Sequence, residues 1–496
     1  MDLLLNNKNY KKLVLLNYLA KHPLNNNLKD ISIKLNLSIM STKRIILDLN
    51  NDLVTHFSED IYINMNINSV SLVNSNSNYS SIDLIELLSM FYLKDSISFQ
   101  ILHLFFINNN TTVSQISTEL FISRSFCYKT IDELAEPLKG WHIELNLSSK
   151  RDSPNFIAKQ EHLRIFYLYF FWNTFKNLEW PFESQELILI RQYLSSSKLT
   201  LLSSSKLKRI EIYLAITNRM IQEKQFVTLS NTDKQIIQCI ADENDLSAPL
   251  DKLFHNQHSN YSFIDIENEK YLFNFLIRLL SPGIDNSSQI KSIGNNFFHC
   301  KNPTIQRSKV FLDFIIKEFH LVTNQNTFTE IFYYVVFYFF TFEKFNIDYL
   351  SFIKTAPHTE KFSINSLENK EFSDAIMNSV DLFFKKDSDH PKDIFYNLAY
   401  FIISSLQKKD LVVYVQCNKN MHSESFITNK ISSIFGNDIL KITSFIEEAD
   451  IVITDSNEHC CGKNQEVYFF EMTHSLDTWQ QLTSFLQKKI LKLAFM

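Results

Sequence analysis

The chain has 496 residues, a formal net charge of −5 and 45% hydrophobic residues. Because single hydrophobic cores stop growing at about 250–300 residues, this length predicts several domains, and the apolar content excludes a largely disordered protein. With five glycines and neither GxGxxG nor GxxxxGK(S/T), the chain lacks the usual signatures of nucleotide-binding enzymes, and its charge excludes a uniformly basic coat for nucleic acid.

The sequence also bears on signal peptides, membrane spans and the oxidation state of the cysteines. Asp2 and the early Asn and Lys residues argue against a cleavable signal peptide. The longest apolar run, Ile331 to Phe342, has twelve residues where a membrane span needs about twenty, so it predicts a buried helix. Six cysteines without CxxC spacing are expected to be free thiols in a reducing cytoplasm.

The N-terminal third of the chain repeats one pattern 85 residues apart, which indicates a supersecondary unit used twice. Leu35-Asn36-Leu37-Ser38 corresponds to Leu120-Phe121-Ile122-Ser123, and each leads into an apolar-periodic segment. The upstream apolar positions keep the offset: Leu16, Leu19, Leu28 and Ile31 correspond to Ile101, Leu104, Val113 and Ile116. The pattern predicts a helix-turn-helix, whose second helix usually enters a DNA major groove.

In the first unit, the spacing predicts helices over Tyr10–Ala20 and Leu28–Leu35, and a third helix that is N-capped by Ser38. Two short strand-like runs follow, Ile61–Ile63 and Val70–Leu72, and predict the hairpin wing of a winged helix. The exposed N-terminal end of the third helix supplies the candidate DNA contacts, Ser41, Thr42, Lys43 and Arg44.

The second unit repeats these elements with helices over Ser96–Ile107 and Val113–Leu120 and a third helix capped by Ser123. Trp141–Leu147 alternates like a strand and predicts a second wing, followed by the basic pair Lys150-Arg151. Its candidate DNA contacts are Ser123, Arg124, Ser125, Tyr128 and Lys129. We expect this unit to select sequence and the first to hold phosphates, since Lys8 to Arg44 contains eight Lys or Arg and one acid.

These features resemble the Mga family of transcriptional regulators of low-GC Gram-positive bacteria. The residues that carry the likeness are Phe99-Gln100-Ile101-Leu102, Leu120-Phe121-Ile122-Ser123 and Glu161-His162-Leu163-Arg164-Ile165-Phe166. The resemblance implies two helical phosphotransferase-regulation domains (PRDs) after the DNA reader, phosphorylated on histidine in related regulators. A neutral imidazole is a nucleophile near pH 7 and can accept a phosphoryl group.

Helical spacing over residues 160–405 agrees with that implication. Ser281-Pro282-Gly283 and the polar stretch to Asn296 predict a link between two bundles. The candidate phosphorylation sites are His255 and His320, ahead of His258, His358 and His390; a structural role is the alternative for each.

The last ninety residues alternate strands and helices, which predicts a small parallel α/β domain. It resembles the EIIB-type domain at the end of Mga-like proteins. In sugar-transport EIIB proteins, a cysteine after the first strand receives a phosphoryl group, and Cys417 stands at about that place. The loop after it has no glycine to fold round an anion, so we favour a degenerate domain for self-association.

The predicted fold is a mainly α multidomain chain. Its domains are winged helix-turn-helix 1 (1–75), winged helix-turn-helix 2 (76–158), PRD-like helical domain 1 (159–285), PRD-like helical domain 2 (286–406) and an EIIB-like α/β domain (407–496).

The predicted function is a cytoplasmic, dimeric DNA-binding regulator of the Mga type, an activator of virulence or carbohydrate-linked genes, with no catalysis, cofactor or metal. The expected partners are double-stranded DNA, a second or further copy of the chain, the phosphocarrier HPr and RNA polymerase, but not a membrane. The alternatives are an EIIB-like phosphocarrier that uses Cys417 and a PRD-type RNA-binding antiterminator.

Overall fold

The computed structural model describes most of the chain in two compact units. The described residues are 1–22, 26–66, 69–146, 154–195, 197–256, 261–352, 370–384, 392–406, 411–416, 423–436, 440–455, 465–470 and 476–494. One unit contains Met1–Gln306 with Val336–Thr359, and the other contains Arg307–Val335 with Glu360–Met496. The predicted fold class is confirmed, since the chain is mostly helical with a small parallel sheet near its C-terminus. The bounds of the five predicted domains stay a prediction.

The first helix-turn-helix unit forms as its sequence predicts. It consists of α1 (Asn7–Lys21), α2 (Leu28–Leu35), α3 (Ile39–His56), β1 (Ile61–Met65) and β2 (Val70–Asn74). The two strands are antiparallel, and Met65 pairs with Val70 at the closed end of the hairpin. The side chain of Asn50 in α3 accepts a hydrogen bond from the backbone N–H of Ile63 at 2.7 Å, so the hairpin is held against the third helix.

The second unit contains an additional N-terminal helix and a shorter wing. Its elements are α4 (Ser81–Lys94), α5 (Ile97–Ile107), α6 (Val113–Glu119), α7 (Arg124–Lys139), β3 (Glu144–Leu145) and β4 (Phe156–Ile157). Only two residues of each strand pair, and Trp141, expected in a strand, is instead fully buried in the turn after α7. Its indole is too large for a solvent-facing wing and packs against Phe166 and Tyr169 of the following helix. Lys150-Arg151 lies outside the described residues.

The middle of the chain is helical, as the residue spacing predicts. Its helices are α8 (Gln160–Phe175), α9 (Ser184–Leu194), α10 (Ser204–Gln222), α11 (Asn231–Ala241), α12 (Ala248–Asn256), α13 (Phe263–Leu280), α14 (Ser287–His299), α15 (Pro303–Glu318) and α16 (Gln325–Phe345). The expected link from Ser281 to Asn296 is mostly wrong, because α14 occupies most of it. Asn286 and Gln289 start that helix with a reciprocal capping box.

Helix α8 carries an unusual set of buried polar residues that tie it to other helices. Glu161 pairs with Lys344 of α16 at 3.0 Å, and Arg164 forms a fully buried ion pair with Glu269 of α13. The Nε2–H of His162 donates to the carbonyl oxygen of Phe345 at 3.0 Å, and burial lowers the pKa of that imidazole. Removing one partner of a buried ion pair strongly destabilises a protein. These residues therefore fix which helices lie against α8.

The compact unit that contains Arg307–Val335 and Glu360–Met496 ends in the predicted α/β arrangement. Two helices, α17 (Lys370–Phe383) and α18 (Lys392–Leu406), precede β5 (Leu411–Gln416), α19 (Ser423–Phe435), β6 (Leu440–Thr443), β7 (Ile451–Thr454), β8 (Glu466–Phe469) and α20 (Leu476–Ala494). The strand order is β6-β5-β7-β8, and all pairs are parallel. Side chains of β5, α19 and α20, including Val413, Ile431 and Leu486, share one core.

Within the part of the chain that the structure describes, no helix is long and apolar enough to cross a bilayer. The apolar run from Ile331 to Phe342 lies inside α16, where Phe332, Val335 and Val336 are fully buried.

The turn after α7 is joined closely to the segment that follows α16. The backbone N–H of Asp348 donates to the carbonyl oxygen of Gly140 at 2.8 Å, and the indole N–H of Trp141 donates to Oγ of Ser351 at 3.0 Å. His142 bonds the carbonyl oxygen of Asn346 at 2.9 Å. We call this set of contacts the α7 clasp; it connects the third helix of the second unit to residues about 200 positions later in the chain.

The clasp predicts that Gly140→Ala destabilises the protein. A Cβ at Gly140 would lie 2.9 Å from Cβ of Ser351, so the backbone would have to move apart. We expect the free energy of unfolding to fall by about 1–3 kcal/mol, as for other overpacked sites, which a lower urea midpoint reports. Ser351→Gly is the matched partner: it should recover part of the loss in the double variant. An unchanged midpoint for Gly140→Ala would show that the clasp is loose.

Candidate nucleic-acid interface

The N-terminal end of α7 is built by a side-chain cap. Oγ of Ser123 accepts a hydrogen bond from the backbone N–H of Phe126 at 3.2 Å, which satisfies one of the four orphan donors of a helix start. Ser38 does the same for α3, where its Oγ accepts from the N–H of Ser41 at 3.2 Å. Both predicted caps are confirmed. Each leaves the positive end of a helix dipole beside the exposed face of the first turn.

The predicted contact residues of the second unit all lie on the surface of that end. Ser123, Arg124, Ser125, Tyr128 and Lys129 are exposed. The guanidinium of Arg124 donates to Oγ of Ser114 in α6 at 2.9 Å, so it is oriented, whereas Lys129 makes only a loose 3.8 Å pair with Glu133 one turn later. Both cations therefore stay available to an anion. Their contact with DNA stays a prediction.

The charge of α7 changes sign along the helix. Arg124 and Lys129 lie in its first two turns, and the exposed acids Asp132, Glu133 and Glu136 begin after them. A polyanion would be attracted to the N-terminal half of the helix and repelled from its C-terminal half. The N-terminal half of α7 is therefore the half with a positive surface.

In the first unit, three of the four predicted contacts reach the surface. Lys43 and Arg44 are exposed and Ser41 is half-buried, but Thr42 is fully buried, so its predicted exposure is wrong. The hydroxyl of Thr42 donates to the carbonyl oxygen of Ser38 at 3.0 Å, inside the first turn. The 85-residue repeat is consistent with the burial of Thr42, since Thr42 corresponds to Cys127, which is also fully buried.

Folding also reduces the positive charge of the first unit. Lys8 pairs with Asp48 at 2.7 Å, and Lys12 is buried in an ion pair with Asp52. Asp52 also accepts from the hydroxyl of Tyr92 in α4, whose pKa is raised by burial and by this carboxylate. Two of the eight cations between Lys8 and Arg44 are thus neutralised by acids of α3, and part of the basic stretch is structural.

The turn before each capped helix contains a residue in the left-handed conformation. Asn36 has φ 50° and Phe121 has φ 54°, at positions 85 residues apart. Asn adopts this conformation readily, whereas a bulky aromatic residue seldom does. Phe121 is also 94% exposed. The repeat places Phe121 in this turn but does not predict its exposure.

The candidate phosphorylation sites lie apart from this interface in sequence. His255 is exposed in the last turn of α12, and His320 is exposed just after α15 with φ 51°. The other candidates, His258, His358 and His390, lie outside the described residues, as does Cys417. Among the described residues no cluster of His, Cys, Asp and Glu has the geometry to hold a metal ion.

The fold and surface of the second unit define a helix-turn-helix domain. Residues 82–171 match the family model of the Mga helix-turn-helix domain, a range that runs from α4 through α8. Residues 82–171 are therefore similar to the Mga helix-turn-helix domain, and the predicted resemblance to the Mga family is confirmed over that range. The three segments that carry the resemblance, beginning at Phe99, Leu120 and Glu161, all fall within this match.

A curated relative is similar to part of the chain. The chain is 25% identical over 182 residues to a "Putative trans-acting regulator" of Streptococcus pneumoniae serotype 4. The alignment covers 36% of this chain, and the chain spans about a third of the length of that curated relative, 34%. The similarity is thus partial in both proteins.

Proposed function

We propose that the protein is a DNA-binding transcriptional regulator that reads duplex DNA with α3 and α7. The observation that carries this proposal is the exposed N-terminal face of α7, with Arg124, Ser125, Tyr128 and Lys129, inside the matched Mga domain. In helix-turn-helix proteins such a face contacts base edges and phosphates in the major groove. The name of the pneumococcal relative supports the same function. The function requires no catalytic step.

The two units are proposed to contribute differently. Lys43 and Arg44 are adjacent exposed cations, which suits sequence-independent contact with phosphates. Arg124 is held by Ser114, and its planar fork can reach a guanine edge or a phosphate in a defined orientation. We therefore assign the larger part of sequence selection to the second unit.

Regulation by histidine phosphorylation is the next part of the proposal. His255 and His320 are exposed, so a phosphocarrier such as HPr has access to both imidazoles. The α7 clasp gives the helical region a physical route to the reading helix, because Gly140 and Trp141 bond directly to Asp348 and Ser351. A change in the position of that segment would reposition the C-terminal end of α7.

We extend the proposal to self-association and to activation. Strand β8 is an edge strand of the C-terminal sheet, and its Val467 and Phe469 are 46% and 64% exposed. Edge strands with apolar side chains are natural sites of pairing between chains, which supports a dimer. Activation of virulence or carbohydrate-linked genes through RNA polymerase rests on the family resemblance alone.

The charge of α7 predicts the salt dependence of DNA binding. The logarithm of the DNA association constant falls linearly with the logarithm of the salt concentration. Removing two phosphate contacts makes this slope shallower by about 1.8, since each contact releases about 0.9 counterions. We expect Arg124→Gln with Lys129→Gln to give this change in a fluorescence-anisotropy titration with duplex DNA at several salt concentrations. The fold should be retained, because both side chains are exposed.

The matched control is Lys198→Gln with Lys301→Gln, which makes the same change in net charge at exposed sites outside both helix-turn-helix units. This variant should keep the slope of the unaltered protein. Equal slopes for both double variants would mean that α7 does not contact phosphates.

Phosphoryl transfer from HPr tests the regulatory part. We expect an acid-labile label on the full chain that His255→Ala or His320→Ala reduces, because phosphohistidine is the product. His22→Ala, at another exposed histidine, should keep the label. Mass spectrometry would locate the phosphoryl group. A label on Cys417 would instead favour the phosphocarrier alternative.

A further inference from the structure

The residue in the turn before α7 is unfavourable for folding in two respects, its backbone conformation and its exposure. Phe121 has φ 54°, a backbone conformation that aromatic side chains rarely adopt, and its side chain is 94% exposed. The left-handed turn closes α6, because the N–H of Ile122 donates to the carbonyl oxygen of Ser117 at 3.1 Å, but the side chain of Phe121 itself gains no burial in the fold. Strained backbone positions persist where the surrounding structure holds them in place, and they cluster at functional sites such as ligand clamps.

The first unit shows what this position needs for folding alone. Asn36, 85 residues earlier, has φ 50° and occupies the corresponding turn. Asn is among the few residues that visit the left-handed region routinely. The phenyl ring is therefore not required to form the turn, and its presence in the second unit calls for a ligand.

Charge and position identify the class of that ligand. Phe121 lies two residues before the cap Ser123, and the cation Arg124 follows that cap directly. The positive end of the α7 dipole and Lys129 add to the attraction for a polyanion. An exposed aromatic ring beside such a surface is better placed in the major groove of DNA than in water.

In the major groove the apolar feature is the 5-methyl group of thymine, which side chains such as Phe contact. We propose that Phe121 contacts a thymine methyl group in the DNA that α7 reads, and thereby makes the second unit selective for thymine at that position. This inference rests on the proposed function. It adds a specificity-determining residue outside the predicted contact set.

The experiment removes the methyl group and the ring in turn. Full-length protein is used to select bound duplexes from a random-sequence library, and each thymine of a selected duplex is then replaced by deoxyuridine. Burial of one methyl group corresponds to about a fourfold change in affinity. We expect uracil at one thymine position to raise the Kd about fourfold.

Phe121→Asn installs the residue that the first unit uses at the same φ, so the variant should fold. It should bind the selected duplex about fourfold more weakly and lose the uracil penalty at that position. Phe121→Gly, which also suits a positive φ, serves as the second variant and should lose the penalty too. Leu201→Asn is the matched control, because it removes another exposed apolar side chain (87% exposed) outside both helix-turn-helix units.

The outcomes separate this inference from the proposed function. If no duplex is enriched and none binds, the proposed function fails and this inference fails with it. If duplexes bind but uracil leaves every Kd unchanged, or if both Phe121 variants keep the full penalty, only the thymine contact is overturned. A changed mass of the Phe121→Asn protein in solution with an unchanged penalty would assign Phe121 to a contact between chains and also overturn the inference.

Discussion

Helix α7 is held at both ends, and the functional face between them depends on that constraint. At its start, Ser123 supplies a missing hydrogen-bond acceptor; at its end, Gly140 packs so closely on Ser351 that an added Cβ would lie 2.9 Å from Cβ of Ser351. A helix that is fixed in this way presents its exposed residues with little positional freedom, which binding to a groove of defined width requires. Helix α8, which Arg164 ties to α13 through Glu269, packs with Phe166 and Tyr169 against Trp141 in the turn after α7.

The two units show one supersecondary element with two different surfaces. Their turns, caps and buried positions agree, down to Thr42 and Cys127 in equivalent buried places. Their surfaces differ: the first places the pair Lys43-Arg44 beside a helix start, and the second places Arg124 beside an exposed phenyl ring. The shared positions are those that the fold needs, and the differing ones are free to determine what each unit binds.

Local signals in the sequence predicted helix caps and helix bounds, whereas the features that the sequence did not predict depend on long-range contacts. The caps Ser38 and Ser123 and the bounds of α2 were predictable because capping and periodicity act within one helical turn. The parallel order of the C-terminal strands followed from their alternation with helices. The α7 clasp joins residues about 200 positions apart, and no local pattern signals it. The second wing is weaker than its sequence predicts. Its periodicity places Trp141 in a strand, but this large side chain requires burial and is fully buried.

The central claim is that the chain reads duplex DNA through its paired helix-turn-helix units. A competition mobility-shift assay tests it most directly, with full-length protein bound to a labelled duplex selected from random sequence. Unlabelled copies of that duplex should displace the complex, while hairpin RNA of the same length should do so only at concentrations at least tenfold higher. Displacement by hairpin RNA at equal or lower concentration would contradict the claim and favour an RNA-binding regulator.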